Sequence, residues 1–414
     1  MTSVQSSGVA SSGASSHVES SPIAPPDLLA RVRQRLAVAG ERPTTASIAA
    51  AIRAERGGVV GEAALRRYTA ALHSELVGAG PLQPLLADPS VTDVLVNGPH
   101  GVWVDRGAGL QRVPVELDGA AVRGLAQRLA TACGRRLDDA QPYVDARLPD
   151  GTRLHAVLPP VAVDGPYLSL RTFRPKGFTL DQLVTSGTVP DEVAPVLTAI
   201  VAARLPFLIT GGTGSGKSTL LNTLLGLSDP GERIVVVEDA AELAPEHPHV
   251  VRLSARPPNA EGAGEVGLRE LVRQALRMRP DRIVVGECRG AEIVELLTAL
   301  NTGHDGGAGT LHANSPADVP ARLEALGLMG GLPREALHAQ VASALRVVIH
   351  LRRTRTGRQL REIRLLVPAA GRIEAVSAWH AAAGVGPAAT TLVTLLAERG
   401  VTPPQLLLEA RSER

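Results

Sequence analysis

Between Gly211 and Thr219 the chain reads Gly-Gly-Thr-Gly-Ser-Gly-Lys-Ser-Thr, an order of residue types suited to holding a polyphosphate. Gly211, Gly216, Lys217 and Ser218 fit the G-x-x-x-x-G-K-[ST] spacing. Glycines at 211, 212, 214 and 216, with Thr213 and Ser215 between them, let backbone N–H groups turn inward. A helix opening at Lys217 adds unpaired donors and the positive end of a dipole. Lys217 is then placed to reach the β- and γ-phosphates, and the Ser218 hydroxyl to bind Mg²⁺. The chain has 43 basic residues but only two lysines, Lys176 and Lys217. A sequence that writes Arg almost everywhere keeps Lys where a compact point charge fits beneath phosphates better than a planar fork.

Two acidic strand ends could serve the same ligand. Ile283-Val-Val-Gly-Glu287 is an apolar run ending in an acid, the form of a strand that points a carboxylate at Mg²⁺ or an attacking water. Gly286 occupies the usual aspartate position, so Glu287 is read as general base or water-orienter, with metal contact through water. The second run ends Val237-Glu-Asp-Ala-Ala-Glu242. Glu238, which closes its apolar stretch, is the favoured acid for the catalytic water or the Mg²⁺ shell. His304 and His312 flank a glycine-rich turn and make a poor metal pair, but a strand-end imidazole can sense a γ-phosphate or orient a carboxylate. Arg147, Arg153 and Arg171 lie on strands just ahead of the nucleotide segment, where they could act as arginine fingers.

The elements that must position these groups follow from periodicity. Residues 1–26 are Ser/Gly/Ala-rich and read as a disordered tail. Residues 27–77 carry helical spacing (Leu28, Val32 and Leu36, then Ile48 and Ile52, then Leu65, Leu72 and Leu76) and read as a helical lead-in. Residues 78–173 shift towards alternating strands around one helix, an α+β domain. Residues 174–178 read as a linker. From 179 to 414 strands alternate with helices, which implies an α/β domain with a predominantly parallel sheet and ligand at the carboxyl ends of its strands.

At 414 residues, two or three domains are expected. A net charge of +2 gives no global electrostatic case for nucleic acid, and 2% aromatic content argues against base-stacking platforms. Cys133 and Cys288 form neither a metal spacing nor a disulfide framework, which suits a reducing cytoplasm. No apolar run approaches a membrane span and no signal sequence opens the chain, so a cytoplasmic protein without an integral membrane segment is expected.

Taken together these motifs resemble the ATPases of type II and type IV secretion systems, most closely the tight-adherence pilus branch. The resemblance is carried by Gly80-Pro-Leu-Gln-Pro-Leu-Leu, Val91-Thr-Asp-Val-Leu-Val-Asn-Gly-Pro, Asp145-Ala-Arg-Leu-Pro-Asp-Gly and the phosphate loop. It continues through Val237-Glu-Asp-Ala-Ala-Glu-Leu243, Arg256-Pro-Pro-Asn259, Arg279-Pro-Asp-Arg-Ile-Val-Val-Gly-Glu-Cys-Arg289 and Asn301-Thr-Gly-His … His-Ala-Asn-Ser315. It implies a RecA-like P-loop NTPase domain preceded by an α+β (PAS-like) domain, with ATP and Mg²⁺ as ligands. It further implies a homo-hexamer peripheral at the inner face of the cytoplasmic membrane, moving inner-membrane platform proteins. Under it Glu238 is the Asp-box acid, Glu287 the Walker-B glutamate, His312 and His304 the His box, and Arg147, Arg153 and Arg171 γ-phosphate contacts. Cys288 departs from the usual small aliphatic residue, and Gly306-Gly-Ala-Gly309 is unusually glycine-rich. The tetracysteine motif of some relatives is missing, so no structural zinc is expected. A DNA-translocating ATPase of a conjugation apparatus is the competing reading, though no direct nucleic-acid partner is expected from the composition. A GTP switch lacks its Asn-Lys-x-Asp guanine reader.

Overall fold

The computed structural model describes residues 26–57, 60–107, 109–172, 177–256, 258, 263–355 and 357–409. Nearly all of the expected tail, and most of the expected linker, lie outside these. The chain divides into two units, Met1–Phe173 and Arg174–Arg414.

The N-terminal unit opens with α1 (Pro26–Ala39), α2 (Thr45–Glu55) and α3 (Glu62–Leu76). Leu28, Val32 and Leu36 recur every four residues, so one stripe of α1 meets Ile48 and Ile52 of α2 and Leu65 and Leu72 of α3. Thr44 caps α2: its side chain accepts from Ser47 N at 3.1 Å while its own N–H donates to the Ser47 hydroxyl at 2.9 Å.

After the short α4 (Gln83–Ala87) come β1 (Asp93–Asn97), β2 (Val102–Asp105), β3 (Leu110–Val113), α5 (Gly119–Ala132), β4 (Tyr143–Arg147), β5 (Arg153–Val157) and β6 (Tyr167–Arg171). The strands form one antiparallel sheet in the order β3-β2-β1-β6-β5-β4. Alternation puts Val94, Val104, Leu154, Ala156, Leu168 and Leu170 on one face, where they share a core with Val122, Leu125 and Leu129 of α5. β3 was not expected from the sequence, because Leu110, Gln111 and Arg112 are all exposed and carry no apolar alternation.

The C-terminal unit begins with α6 (Leu180–Thr185), α7 (Ala194–Ala202), β7 (Phe207–Thr210), α8 (Lys217–Gly226), β8 (Ile234–Glu238), β9 (Val250–Ser254), α9 (Leu268–Ala275) and β10 (Arg282–Cys288). It continues through α10 (Glu292–Asn301), β11 (Ala308–Leu311), α11 (Val319–Met329), α12 (Arg334–Ala344), β12 (Val347–Thr354), β13 (Gly357–Ala369), β14 (Arg372–His380), β15 (Gly384–Val385), α13 (Ala389–Glu398) and α14 (Gln405–Glu409).

Its nine-stranded sheet runs β15-β14-β13-β12-β7-β11-β10-β8-β9. From β12 to β9 every neighbouring pair is parallel, while β13, β14 and β15 extend the other edge antiparallel. Strands buried on both faces explain the uninterrupted apolar runs. Phe207, Ile209, Ile234, Val236 and Val284 enter a core with α7, α8 and α13. Leu208, Val235, Val237, Ile283 and Val285 face the opposite way, into a core with α9 to α12. On α8, Leu220, Leu221, Leu224 and Leu225 are all buried. At roughly 1.5–3 kcal/mol per buried side chain they hold firmly the helix that begins at Lys217.

One buried charge braces the far edge of this sheet. Arg282, at 1% exposure, pairs with Glu232 and donates to Val201 O (2.9 Å) and Gly306 O (3.3 Å). A Cβ on Gly306 would lie 2.7 Å from its guanidinium, and one on Gly307 would lie 2.8 Å from Ile283 O. The glycines before β11 therefore answer to close approach rather than to looseness, so the glycine-rich turn is tightly packed.

Candidate active site

β7 delivers the chain into the phosphate loop at Thr210. At Gly211 (φ +148°) a Cβ would fall 2.3 Å from Leu351 O, so only glycine lets the loop turn beside β12. Gly216 (φ +98°) is the left-handed N-cap of α8, leaving the N–H groups of the first helical turn, at Lys217, Ser218 and Thr219, directed at the loop. Ser215 Oγ is buried against Gly211 and has no hydrogen-bond partner among the described residues. The Lys217 ammonium donates to Gly211 O (3.1 Å) and Gly212 O (3.0 Å). Burial lowers its pKa, with Glu287 pulling the other way. An ammonium made costly by desolvation, with two loop carbonyls as its nearest acceptors, is poised to gain from an anion.

β11 and β10 bring the next groups to the same carboxyl edge. His312 follows β11, and its Nε2 lies 2.6 Å from Glu287 Oε1 and 3.4 Å from Lys217 Nζ. Glu287 Oε2 is 2.5 Å from Arg289 Nη2. One ring nitrogen thus stands between an acid and an ammonium. It can carry a proton towards Glu287 or offer its lone pair to Lys217, but not both. Burial and the charge of Lys217 lower the pKa of His312, so the neutral ring is favoured at neutral pH. The turn after Glu287 is set by Glu292 at the head of α10, whose Oε1 accepts from Arg289 N (2.5 Å) and Gly290 N (2.8 Å).

Glu238 closes β8, one residue beyond the Val237–Val285 pairing with β10. Its Oε1 accepts from Glu242 N (3.0 Å) and Leu243 N (2.9 Å), whereas Oε2 is buried with no hydrogen-bond partner among the described residues. A Cβ on Gly286 would lie 2.6 Å from Glu238 Cγ. This is the physical reason that the aspartate position of β10 is a glycine: Glu238 from the adjacent strand fills that space. Burial raises the Glu238 pKa to about 7.

Because this acid titrates higher folded than unfolded, it weakens the fold progressively as pH rises from about 4.5 to about 7. Glu238→Gln should remove that slope. In urea unfolding, the variant should gain on wild type by about 2 kcal/mol between pH 5 and pH 8. A pH-independent difference would show that Glu238 is ionised throughout.

The other expected site residues fall elsewhere. His304 precedes β11, at the opposite end of that strand from His312, and its Nδ1 lies 3.1 Å from Ala299 O at the end of α10. Cys288 is buried beneath the sheet with its thiol pKa pushed up by burial, which suits the small apolar residue expected there. In the N-terminal unit, Arg147, Arg153, Arg171 and Asp93 are successive cross-strand partners, so they form one row on the sheet face away from α5. Arg153 Nη2 is 2.8 Å from Asp145 Oδ2, and Arg171 Nε is 3.9 Å from Asp93 Oδ1.

Sequence reasoning missed the β12–β13 hairpin. Thr210 Oγ1 lies 2.9 Å from Nδ1 of the buried His350 on β12, and Arg358 Nε donates to Gly214 O at 3.1 Å. The available signal was the apolar Val347-Val-Ile-His-Leu run followed by an arginine-rich turn closing on Gly357.

Among the described residues, no group of three or more His, Cys, Asp or Glu side chains could hold a metal ion. The donors fit a magnesium nucleotide instead: inward N–H groups, the Ser218 hydroxyl at the head of α8, and the partnerless Oε2 of Glu238. Sheet order, phosphate loop and acidic strand ends define a P-loop NTPase fold. Residues 75–383 match the type II/IV secretion system protein family, and the chain belongs to that family. It is 58% identical over 336 residues to a putative conjugal transfer protein of Mycobacterium tuberculosis (strain CDC 1551 / Oshkosh), covering 79% of this chain and 96% of that one. It is 32% identical over 283 residues to the probable conjugal transfer protein TrbB of Sinorhizobium fredii, covering 67% and 84%. The ATPase DotB of Legionella pneumophila shares the fold at a TM-score of 0.51 and 23% identity, covering 69% of this chain and 79% of that one.

Proposed function

We propose that the chain is an ATP-hydrolysing motor of a secretion or tight-adherence pilus machine, turning over ATP to drive domain motion. The observation that carries this reading is the file Lys217–His312–Glu287 at the carboxyl edge of a parallel sheet, beside the phosphate loop. Loop N–H groups and Lys217 bind the β- and γ-phosphates, and the Ser218 hydroxyl holds Mg²⁺, with Glu238 and Glu287 reaching it through water. When bound, Mg²⁺ neutralises charge on the phosphate oxygens. Glu287 orients the attacking water and accepts its proton, while His312, neutral and able to swap partners, couples that carboxylate to Lys217. The resemblance to the family's motifs further assigns γ-phosphate contacts to Arg147, Arg153 and Arg171. His304 takes no part.

The working assembly is a homo-hexamer peripheral to the inner face of the cytoplasmic membrane, acting on membrane platform proteins. Among the described residues no helix is long and apolar enough to cross a membrane. The names of the relatives favour one further reading, a DNA-translocating ATPase of a conjugation apparatus.

Phosphate release by the purified protein with ATP and Mg²⁺, measured with and without duplex and single-stranded DNA, tests both. Turnover indifferent to DNA is expected. DNA stimulation that fades steeply with salt would favour translocation, and turnover no higher than that of a Lys217→Ala control would overturn the ATPase reading.

A further inference from the structure

The hairpin of β12 and β13 stands against the outer wall of the phosphate loop. Arg353 and Arg358 are cross-strand partners near its turn. Arg353 Nη1 lies 3.2 Å from the position a Cβ would take on Gly214, and Arg358 Cδ lies 3.0 Å from that on Gly216. Arg358 Nε donates to Gly214 O at 3.1 Å. The glycines at 214 and 216 therefore make room for two arginine side chains as well as for the turn itself.

The charge at this spot is one-sided. Four arginines, at 352, 353, 355 and 358, and no acid stand between Leu351 and Gln359. Among the described residues neither Arg353 nor Arg358 is ion-paired. Two guanidinium-bearing side chains are thus held against Gly214 and against Gly216, the N-cap at the positive end of α8, with no ion-pair partner of their own among the described residues. Like charges gathered around one helix terminus repel, and an anion in the loop reverses the sign of that interaction.

We propose that Arg353 and Arg358 form a second cationic wall of the nucleotide site, a phosphate clamp supplied by the same domain that carries the loop. The proposal rests on the nucleotide-binding reading above. The clamp reads phosphate charge, and through the Gly214 carbonyl it ties the loop to the antiparallel edge of the sheet. It differs from the arginine row of the N-terminal unit, because loop and clamp belong to one compact unit.

The test is titration of AMP, ADP and ATP, with Mg²⁺, into the full-length protein. It compares wild type with the Arg353→Gln/Arg358→Gln and Arg353→Lys/Arg358→Lys double variants at 50 and 300 mM salt. The Gln pair should lose about tenfold in ATP affinity, about threefold for ADP and little for AMP. The loss should shrink at the higher salt, and the Lys pair should recover most of it. An equal loss across the three nucleotides would mean loop packing or base contact and overturns the clamp. Unchanged ATP affinity in the Gln pair, with wild type binding normally, overturns the clamp alone. A wild type that binds no ATP overturns the nucleotide reading and the clamp together. A Gln pair that fails to fold leaves the decision to the Lys pair: near-normal ATP affinity supports the clamp, and a loss equal for all three nucleotides refutes it.

Discussion

Glu287→Gln is expected to keep ATP affinity within about threefold of wild type while turnover falls by about 10³-fold, the scale of removing a positioned base together with its charge. The substitution preserves shape. In wild type, one carboxylate oxygen lies 2.6 Å from His312 Nε2 and the other 2.5 Å from Arg289 Nη2. A Gln side chain can present its carbonyl to Arg289 and its amide N–H to His312, provided that ring nitrogen offers a lone pair. Burial and Lys217 already lower the His312 pKa, so the neutral ring is available. The variant should therefore fold, bind and stall. Its check is single-turnover hydrolysis beside equilibrium ATP binding, and normal turnover would remove Glu287 from the role of water-orienter.

Lys217→Ala should act on the other side of the cycle, lowering ATP affinity by at least about 10²-fold and taking hydrolysis to background. This ammonium lies against the phosphate loop, where it donates to Gly211 O and Gly212 O. Burial disfavours its charged form, so its loss should leave the nucleotide-free melting temperature unchanged or slightly raised. That outcome separates a binding defect from unfolding. Lys217 also depresses the His312 pKa, so the imidazole should titrate higher in the variant, a shift visible by NMR. Near-normal ATP binding by Lys217→Ala would sink the phosphate-loop assignment.

The two variants divide the site by function. In the proposed cycle Lys217 serves the ground state and Glu287 the reacting water; in the structure His312 stands between them. A motor needs these steps separable, since binding and hydrolysis must drive different halves of a conformational cycle.

Much of this was legible in order and residue type. The strand–loop–helix sequence of β7, the phosphate loop and α8 is local, since a glycine run between an apolar strand and a leucine-rich helix has few ways to fold. The apolar runs ending in Glu238 and Glu287 announced a parallel sheet buried on both faces, whose carboxyl ends share one edge. The sequence by itself thus determined which residues stand after which strands, and that Lys217, Glu238, Glu287 and His312 belong to one edge.

Only the tertiary structure decided what these residues touch. His304 and His312 flank the same turn-and-strand segment, yet a four-residue strand separates them onto opposite edges of the sheet. The physical reason for Gly286, which stands where the bare motif has aspartate, lies on the adjacent strand, where Glu238 fills its space. The approach of the arginines at 353 and 358 to Gly214 and Gly216 joins segments about 140 residues apart, so no local pattern announces it. Sequence spacing governs contacts along one strand or one helix turn. Contacts across the sheet depend on strand order and register, which are fixed by the packing of both faces at once.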